Sequence, residues 1–473
     1  MPEGSTQSIG PDDDRRRLTG RRLVLFLALL VLALFLRRHD LAEYPAQYQT
    51  FDEYHYLCVG LSLLHEGRPT AWSPLSSYLS CGVTPRKVHI LGGARVSMVC
   101  PALDHPPLFS LVAGAFAQLT GARRVFVPQP EGGLFPLWDV DLGRARHLSL
   151  LLFAFSLFFL FEIARRAFSF DVACVAALFY GVIAHVVFQS RLIVTENLTT
   201  PLFLLNLYYL QRYVDGRSTR AGFGAATIVS TAAALLCKLV AVSQAAAVVY
   251  LLFLYRRRRD VVYPVVGVAL GAALYLAYGW WQGWDVFWAV LSGQAGRFYG
   301  FNALVRIVTD PAVVHTPNLS YLLLLGWIAL FGAVLYRRGT MILAAPLLYL
   351  LGFVFFASLP AIYGWHIVPF YPFLCLALAL LVVNVYRRCR PVEFAALMVA
   401  LAPAAFDAIR PLADSRHPAL LRGGCLLIVA ATLTFPFFRR PIAKRLMQSA
   451  ILITVTILVL QEICVAWTHS LSK

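Results

Sequence analysis

Apolar runs of about 14–20 residues, parted by short polar and basic stretches, recur from residue 23 almost to the end of the chain. They lie near 23–37, 147–163, 172–190, 198–211, 221–237, 239–255, 261–279, 319–336, 341–358, 369–386, 393–409, 423–438 and 446–465. Runs of this length predict membrane-spanning helices, whose backbone groups must all be paired within the segment. The pattern predicts an all-α polytopic membrane protein of about 13 transmembrane helices. It breaks twice for longer polar stretches, a first loop over about 38–146 and a second over about 280–318.

Basic residues set the orientation. With residues 1–22 taken as a disordered cytoplasmic tail and the spans alternating, the inside receives Arg15–Arg17, Arg165/Arg166, Arg212/Arg217/Arg220, Arg256–Arg259, Arg337/Arg338, Arg387/Arg388/Arg390 and Arg439/Arg440/Lys444/Arg445. Every inside segment is basic, as cytoplasmic loops are, and long external loops are exempt from that rule. Both long loops fall outside, and residues 23–473 form one transmembrane domain. The run Leu23–Leu36 is followed by Arg37, Arg38, His39 and Asp40 in place of a small-residue cleavage site, so it reads as a retained span.

Composition agrees: 59% of residues are hydrophobic and only 14% charged, against about half and a quarter in soluble domains. The net charge of +17 comes from those anchoring clusters, which argues against a nucleic-acid partner. Among nine cysteines no spacing resembles a metal site; Cys81 and Cys100 fall in the first external loop and are candidates for a disulfide.

Within the first loop, Tyr54–His65 is predicted to form an interfacial helix with Tyr56, Val59, Leu63 and Leu64 on one side. Lys87–Met98 reads as a hairpin around Gly92-Gly93. The apolar run after Pro106-Pro107, to Leu119, is short for a span and reads as a re-entrant or interfacial helix. Trp280, Trp281, Trp284 and Trp288 at the second loop read as an aromatic belt.

Candidate chemistry gathers on the outer side. Asp52 and Glu53 open the first loop among Phe51, Tyr54, His55 and Tyr56; a carboxylate there can serve as general base, and only one of two adjacent ones can face a site. Asp104 and His105 precede a Pro-Pro helix start, where backbone N–H groups favour anions. Glu196 stands at a span boundary, paired with Arg191 or facing a site. Arg144, Arg146, Lys238, Arg297 and His366 put cations on the same face, able to neutralise a phosphate. A Gly-rich phosphate loop and a Ser-His-Asp arrangement are both missing, so an activated group must arrive already in the membrane.

The motif Phe51-Asp52-Glu53-Tyr54-His55-Tyr56 resembles the Asp-Glu motif of protein O-mannosyltransferases, and Asp104-His105-Pro106-Pro107-Leu108 resembles their His-Pro-Pro-Leu segment. Thr195-Glu196-Asn197-Leu198, the lone Lys238 and His366-Ile367-Val368-Pro369-Phe370-Tyr371-Pro372 look like bacterial members. The number of spans is similar to that of the bacterial aminoarabinose transferase that modifies lipid A. The resemblance covers roughly 23–390. It implies the C-type glycosyltransferase fold and inverting transfer of a sugar from a polyprenyl-phosphate donor, on the outer face of the inner membrane, to a lipid, glycan or protein acceptor. By the same resemblance Asp52 would be the catalytic base with Glu53 in support. Glu196 would line the pocket, and Arg144 or Arg146, Lys238 and His366 would contact the lipid phosphate. No cofactor is required, although a divalent cation is compatible. His366 departs from the pattern, standing where bacterial members commonly have arginine or tyrosine, and the lumenal domain inserted in eukaryotic members is missing. The competing reading is a multi-span lipid or sugar transporter (a flippase), with Glu196 and Lys238 as intramembrane charges; such proteins usually carry repeats and interrupted midplane helices.

Overall fold

A computed structural model describes residues 20–45, 51–89, 95–129, 132–295, 320–336, 341–356, 364–409 and 440–468. Residues 1–19 of the expected tail 1–22, most of the second loop, the run 423–438 and Arg297 lie outside the described residues, while 20–22, expected as tail, are helical. The chain opens with α1 (Gly20–Arg38) and α2 (Phe51–Glu66). The remainder of the first loop carries β1 (Ala71–Trp72), α3 (Ser77–Ser80), β2 (Arg86–His89), β3 (Arg95–Val99), α4 (Pro107–Leu119), β4 (Arg123–Pro128), β5 (Leu134–Asp139) and α5 (Leu142–Ala145). There follow α6 (His147–Ala167), α7 (Phe170–Val182), α8 (Ala184–Gln189), α9 (Thr195–Val214), α10 (Arg220–Cys237), α11 (Val242–Leu254), α12 (Val262–Gln282) and α13 (Trp284–Ala295). After the second loop come α14 (Tyr321–Tyr336), α15 (Ala345–Phe356), α16 (Tyr371–Arg388), α17 (Pro391–Ile409) and α18 (Arg440–Thr468).

Among the described residues five helical stretches are long and apolar enough to cross a membrane: Leu142–Ala167, Arg220–Cys237, Arg258–Gln282, Trp365–Arg388 and Pro441–Thr468. Shorter apolar helices include Phe170–Val182, Leu239–Leu254 and Tyr321–Leu335. The run 172–190, expected as one helix, is broken at Ile183, which leaves helical geometry at ψ 116°. The break frees the last carbonyls of α7, and buried Arg37 takes two of them, donating to Gly181 O at 2.7 Å and Tyr180 O at 3.0 Å. Its Nε donates to Ser190 Oγ at 2.7 Å and its guanidinium lies over the Phe153 ring. A cation at a helix C-terminus satisfies carbonyls that the helix cannot. At the next N-terminus Glu462, from α18, accepts from Ala184 N at 2.8 Å and so docks the last helix.

The first loop corrects the all-α expectation. It holds two small antiparallel sheets, β1-β3-β2 and β4-β5. The expected hairpin is there, with Lys87 opposite Ser97 and His89 opposite Arg95, its turn at 90–94 being outside the described residues. The second hairpin, with Val125 opposite Leu137, was not anticipated. Val125, Val127, Phe135 and Leu137 face Val88 and Met98, so the two sheets share a small apolar core. Pro128 and Pro136 lie within or at the ends of these strands, where a missing N–H is tolerated in a two-stranded edge.

Helix α2 packs on α4: of the side expected to be apolar, Tyr56, Val59 and Leu63 are buried, while Leu64 is exposed. The helices meet through glycine. A Cβ on Gly60 would fall 1.8 Å from Ser110 O, and one on Gly114 would fall 2.4 Å from Gly60 C. Only hydrogen at both positions permits this approach. It brings the loop before α4 against the first turn of α2. Helix α4 has 13 residues, short of a span. Cys81 and Cys100 are both free thiols; the Cys81 Sγ–H donates to the Ser77 and Tyr78 carbonyls. Trp280, Trp281, Trp284 and Trp288 are all exposed on the protein surface, as a lipid-facing belt requires.

Candidate active site

Two neighbouring carboxylates on α2 have opposite surroundings. Glu53 has no exposed surface and meets fully buried Arg146 in a two-pronged pair, Nε to Oε1 at 3.0 Å and Nη2 to Oε2 at 2.7 Å. Oε1 also accepts from Ile193 N at 2.9 Å. Arg146 donates further to Leu41 O at 2.8 Å and Pro45 O at 2.7 Å. The pair therefore ties together the segment after α1, the start of α2, the junction of α5 and α6, and the turn before α9. Arg146 has no face left for a ligand, so its role here is structural, unlike the phosphate contact anticipated for it.

Asp52 lies one residue earlier in the same helical turn and receives no hydrogen bond among the described residues. Burial is the main force raising its pKa above the ordinary carboxylate range. The charges of Glu196 and Glu53 push it the same way, while His55 and Lys238 oppose them. A carboxylate destabilised in this manner holds a proton more readily than one in water, which suits a general base.

Glu196 sits in the first turn of α9, where the helix dipole favours a negative charge. The sequence offered Arg191 as its partner. Instead Arg191 donates to Leu36 O at 2.7 Å and Tyr44 O at 3.2 Å. Glu196 Oε1 pairs with Lys238 Nζ, and its Oε2 accepts from Thr195 Oγ1 at 2.9 Å. Lys238 reaches this point because α10 stops at Cys237 and Lys238 is extended, φ −158° and ψ 130°, before a 3-10 turn at Leu239–Ala241 leads into α11. His366, on the 3-10 stretch Gly364–Phe370, places Nε2 at 3.8 Å from Glu196 Oε1. Lys238 and His366 both retain some exposed side-chain surface.

The loop before α4 closes another side. Asp104 is held by Tyr78 OH at 2.5 Å and Ser73 Oγ at 2.7 Å, so its carboxylate is occupied. His105 lies beside α2, its ring centroid 5.2 Å from Tyr56 and 5.6 Å from His55. Arg144 stands apart: it is exposed and pairs with Asp141 at 3.0 Å, three residues earlier. Of the residues named from sequence, the structure thus brings Asp52, Glu196, Lys238, His366 and His105 into one neighbourhood and sets Glu53 and Arg146 behind it as a strut. His55 and Tyr56 belong to the neighbourhood as well. The sequence showed them only as aromatic company for Asp52, although His55, three residues on, shares its helical face. No group of three or more His, Cys, Asp or Glu side chains poised for a metal is found among the described residues.

Residues 134–281 match the family model described as dolichyl-phosphate-mannose-protein mannosyltransferase. No curated protein matches. Among solved structures, the fold is similar to apo ArnT from Cupriavidus metallidurans, with a TM-score of 0.56 and 14% identity over 95% of this chain and 76% of that one. The same ArnT bound to undecaprenyl phosphate gives a TM-score of 0.56, 14% identity, and 95% and 77% coverage. The oligosaccharyltransferase of Archaeoglobus fulgidus, with a tethered acceptor peptide, gives 0.50 and 10% identity over 95% of this chain but 55% of that protein's length. The chain therefore has the C-type glycosyltransferase fold seen in ArnT, and across 134–281 it is similar in sequence to the dolichyl-phosphate-mannose-protein mannosyltransferases.

Proposed function

We propose that this protein is an inverting glycosyltransferase that moves a sugar from a polyprenyl-phosphate donor to an acceptor on the outer face of the cytoplasmic membrane. The observation that carries the reading is the position of Asp52, half-buried and without a donor of its own among the described residues, beside the Glu196–Lys238–His366 cluster. The matched ArnT structure, which is bound to undecaprenyl phosphate, supports the choice of donor class.

The acceptor's O–H or N–H gives its proton to Asp52 as the lone pair of that oxygen or nitrogen attacks the anomeric carbon. Attack from the face opposite the phosphate inverts the centre. The bond between the anomeric carbon and the phosphate oxygen breaks, and polyprenyl phosphate leaves with the electron pair. Lys238 and His366 offset the charge that builds on that oxygen. Glu196 holds Lys238 in place and keeps its stem from swinging into lipid. Phosphate is a sufficient leaving group by itself, so the step is complete without a metal.

The reading is tested in proteoliposomes with a panel of labelled polyprenyl-phosphate sugars. The wild type should consume one donor and release polyprenyl phosphate with inversion at the anomeric carbon. Replacing Lys238 by Gln should weaken undecaprenyl-phosphate binding about 10- to 150-fold, since a charge-assisted hydrogen bond is worth roughly 1.5–3 kcal/mol. A wild type that translocates such lipids without cleaving any of them would transfer the assignment to the transporter class.

A further inference from the structure

A second cleft lies in the first loop, further along α2 than Asp52. Ser62 and Glu66 of α2 form one wall, and Pro136 and Trp138 of β5 form the other. Arg124 bridges the two, its Nη2 meeting Glu66 Oε1 at 3.0 Å. The cleft holds about 370 Å³ of empty space counted to its open side, which falls in the range of small-molecule sites, about 300–1,000 Å³.

The local structure explains its chemistry. Trp138 stands opposite Arg124 in the β4–β5 pairing, so both leave the same face of the hairpin. His65 lies outside the cleft and packs against the Trp138 ring, centroids 5.0 Å apart, which fixes the indole. Ser62 Oγ is occupied within its own wall, donating to Cys58 O at 2.7 Å and accepting from Thr70 N at 2.7 Å. The charged groups left for a ligand are Glu66 and Arg124, whose side chains keep 33% and 45% of their surface.

Such a surface selects its ligand. One carboxylate and one guanidinium cancel, so neither a phosphate nor an amine is favoured. Their pairing leaves hydrogen-bond acceptors and donors side by side, which suits neighbouring hydroxyls that each donate and accept. The indole offers an apolar plane to the C–H face of a sugar ring. A fatty chain would strip water from the ion pair without replacing its hydrogen bonds. An extended peptide would need a strand edge, and Pro136, in the middle of the bordering strand, has no N–H to give.

The cleft also has a fixed relation to Asp52, because both belong to α2. Glu66 follows Asp52 by close to four helical turns, so the two side chains leave nearly the same side of α2, about 21 Å apart along its axis. That is the reach of a short oligosaccharide and beyond the reach of a single sugar.

We propose that this cleft is an acceptor subsite, holding a neutral hexose unit of a glycan whose far end reaches Asp52. This rests on the reading of the chain as a glycosyltransferase with Asp52 as its base, and it narrows the acceptor to a glycan. No bond forms or breaks in the cleft; Glu66, Arg124 and Trp138 bind and align the chain of sugars.

The test uses full-length protein in lipid nanodiscs with neutral trisaccharides of glucose, of galactose and of mannose, followed by saturation-transfer NMR. At least one should bind wild type. Arg124→Gln should weaken that binding about tenfold or more, since a hydrogen bond to a charged group is lost. Trp138→Ala should weaken it by a similar factor. The Arg124–Glu66 pair is partly exposed and holds little of the fold, so Arg124→Gln remains informative even if Trp138→Ala fails to fold. A wild type that binds none of the three, or binding left unchanged by Arg124→Gln, overturns the proposal. In transfer assays Arg124→Gln should raise the acceptor KM for a trisaccharide with kcat kept, and should leave a monosaccharide glycoside unaffected. An equal loss for short and long acceptors would assign Arg124 to the fold alone and also overturn the proposal. Cleft-dependent sugar binding by a wild type that cleaves no polyprenyl donor would sink the reaction and keep the cleft. An active wild type whose glycan binding ignores the cleft variants would do the reverse.

Discussion

Glu53 and Asp52 are consecutive acids on one helix, yet they live in different worlds. Glu53 has an arginine gripping both oxygens and a backbone N–H besides. Asp52 has burial, two neighbouring acids and no hydrogen-bond donor among the described residues. The first arrangement matches an acid to a cation and locks four segments together; the second leaves a carboxylate whose pKa desolvation raises. The contrast separates architecture from chemistry: a fully satisfied buried charge holds a fold, and an unsatisfied one is available for work.

The sharpest way to break this contrast is to remove the strut. Glu53→Ala leaves Arg146 buried without its carboxylate, and losing one member of such a pair costs about 3–5 kcal/mol. Thermal unfolding in detergent should show a large fall or loss of the folded protein. A small change would mean that the carbonyls of Leu41 and Pro45 suffice for Arg146.

Next in size is the contact that delivers His105 to α2. Gly60→Ala inserts a methyl 1.8 Å from Ser110 O, which is backbone and cannot swing aside. Overpacking of this kind costs about 1–3 kcal/mol. The unfolding midpoint should drop, and activity per folded molecule should drop with it as the α2–α4 spacing opens.

The smallest effect has the opposite sign. A carboxyl whose folded pKa is raised destabilises the folded state once pH exceeds its unfolded pKa, about 3.9, and the penalty is complete above the folded pKa. Asp52→Asn removes that penalty. The variant should therefore unfold later than wild type at neutral pH, by roughly 1 kcal/mol for each pKa unit of the raised value. The gain should vanish below about pH 4, where both states of wild type are protonated. A gain that persists at low pH would show that the difference lies in packing and not in charge.

Much of this site was legible before the structure. Asp52, Glu196, Lys238 and His366 stood out as ionisable groups at span ends, and periodicity plus charge alternation placed them on one face. Their pairing was not legible. Glu196 has Arg191 near it in sequence, but the turn before α9 points Arg191 at carbonyls of the first segment and leaves Glu196 to Lys238, 42 residues on. Arg146 and Glu53 are 93 residues apart and meet only through the packing of the first loop. Sequence order contains the ingredients of an ion pair without the topology that joins them. The second hairpin was missed because proline and glycine at 128, 130, 132 and 133 read as loop, and its pairing needs the apolar face of the first sheet to cover it. The break at Ile183 was hidden for a similar reason: the run is almost wholly apolar, and the side chains that satisfy the break, Arg37 and Glu462, come from elsewhere in the chain.

The most direct test of the central claim compares the two acids in sugar transfer, counted per folded molecule. Asp52→Asn and the mildest strut variant that still folds, Glu53→Gln, are reconstituted with the donor that wild type consumes. Asp52→Asn should lose about 10²–10⁴-fold in kcat with donor binding intact, as loss of a general base does. Glu53→Gln should lose stability and keep most of its turnover. Equal turnover by Asp52→Asn and wild type, or a Glu53→Gln protein that is folded but inactive, would contradict the account.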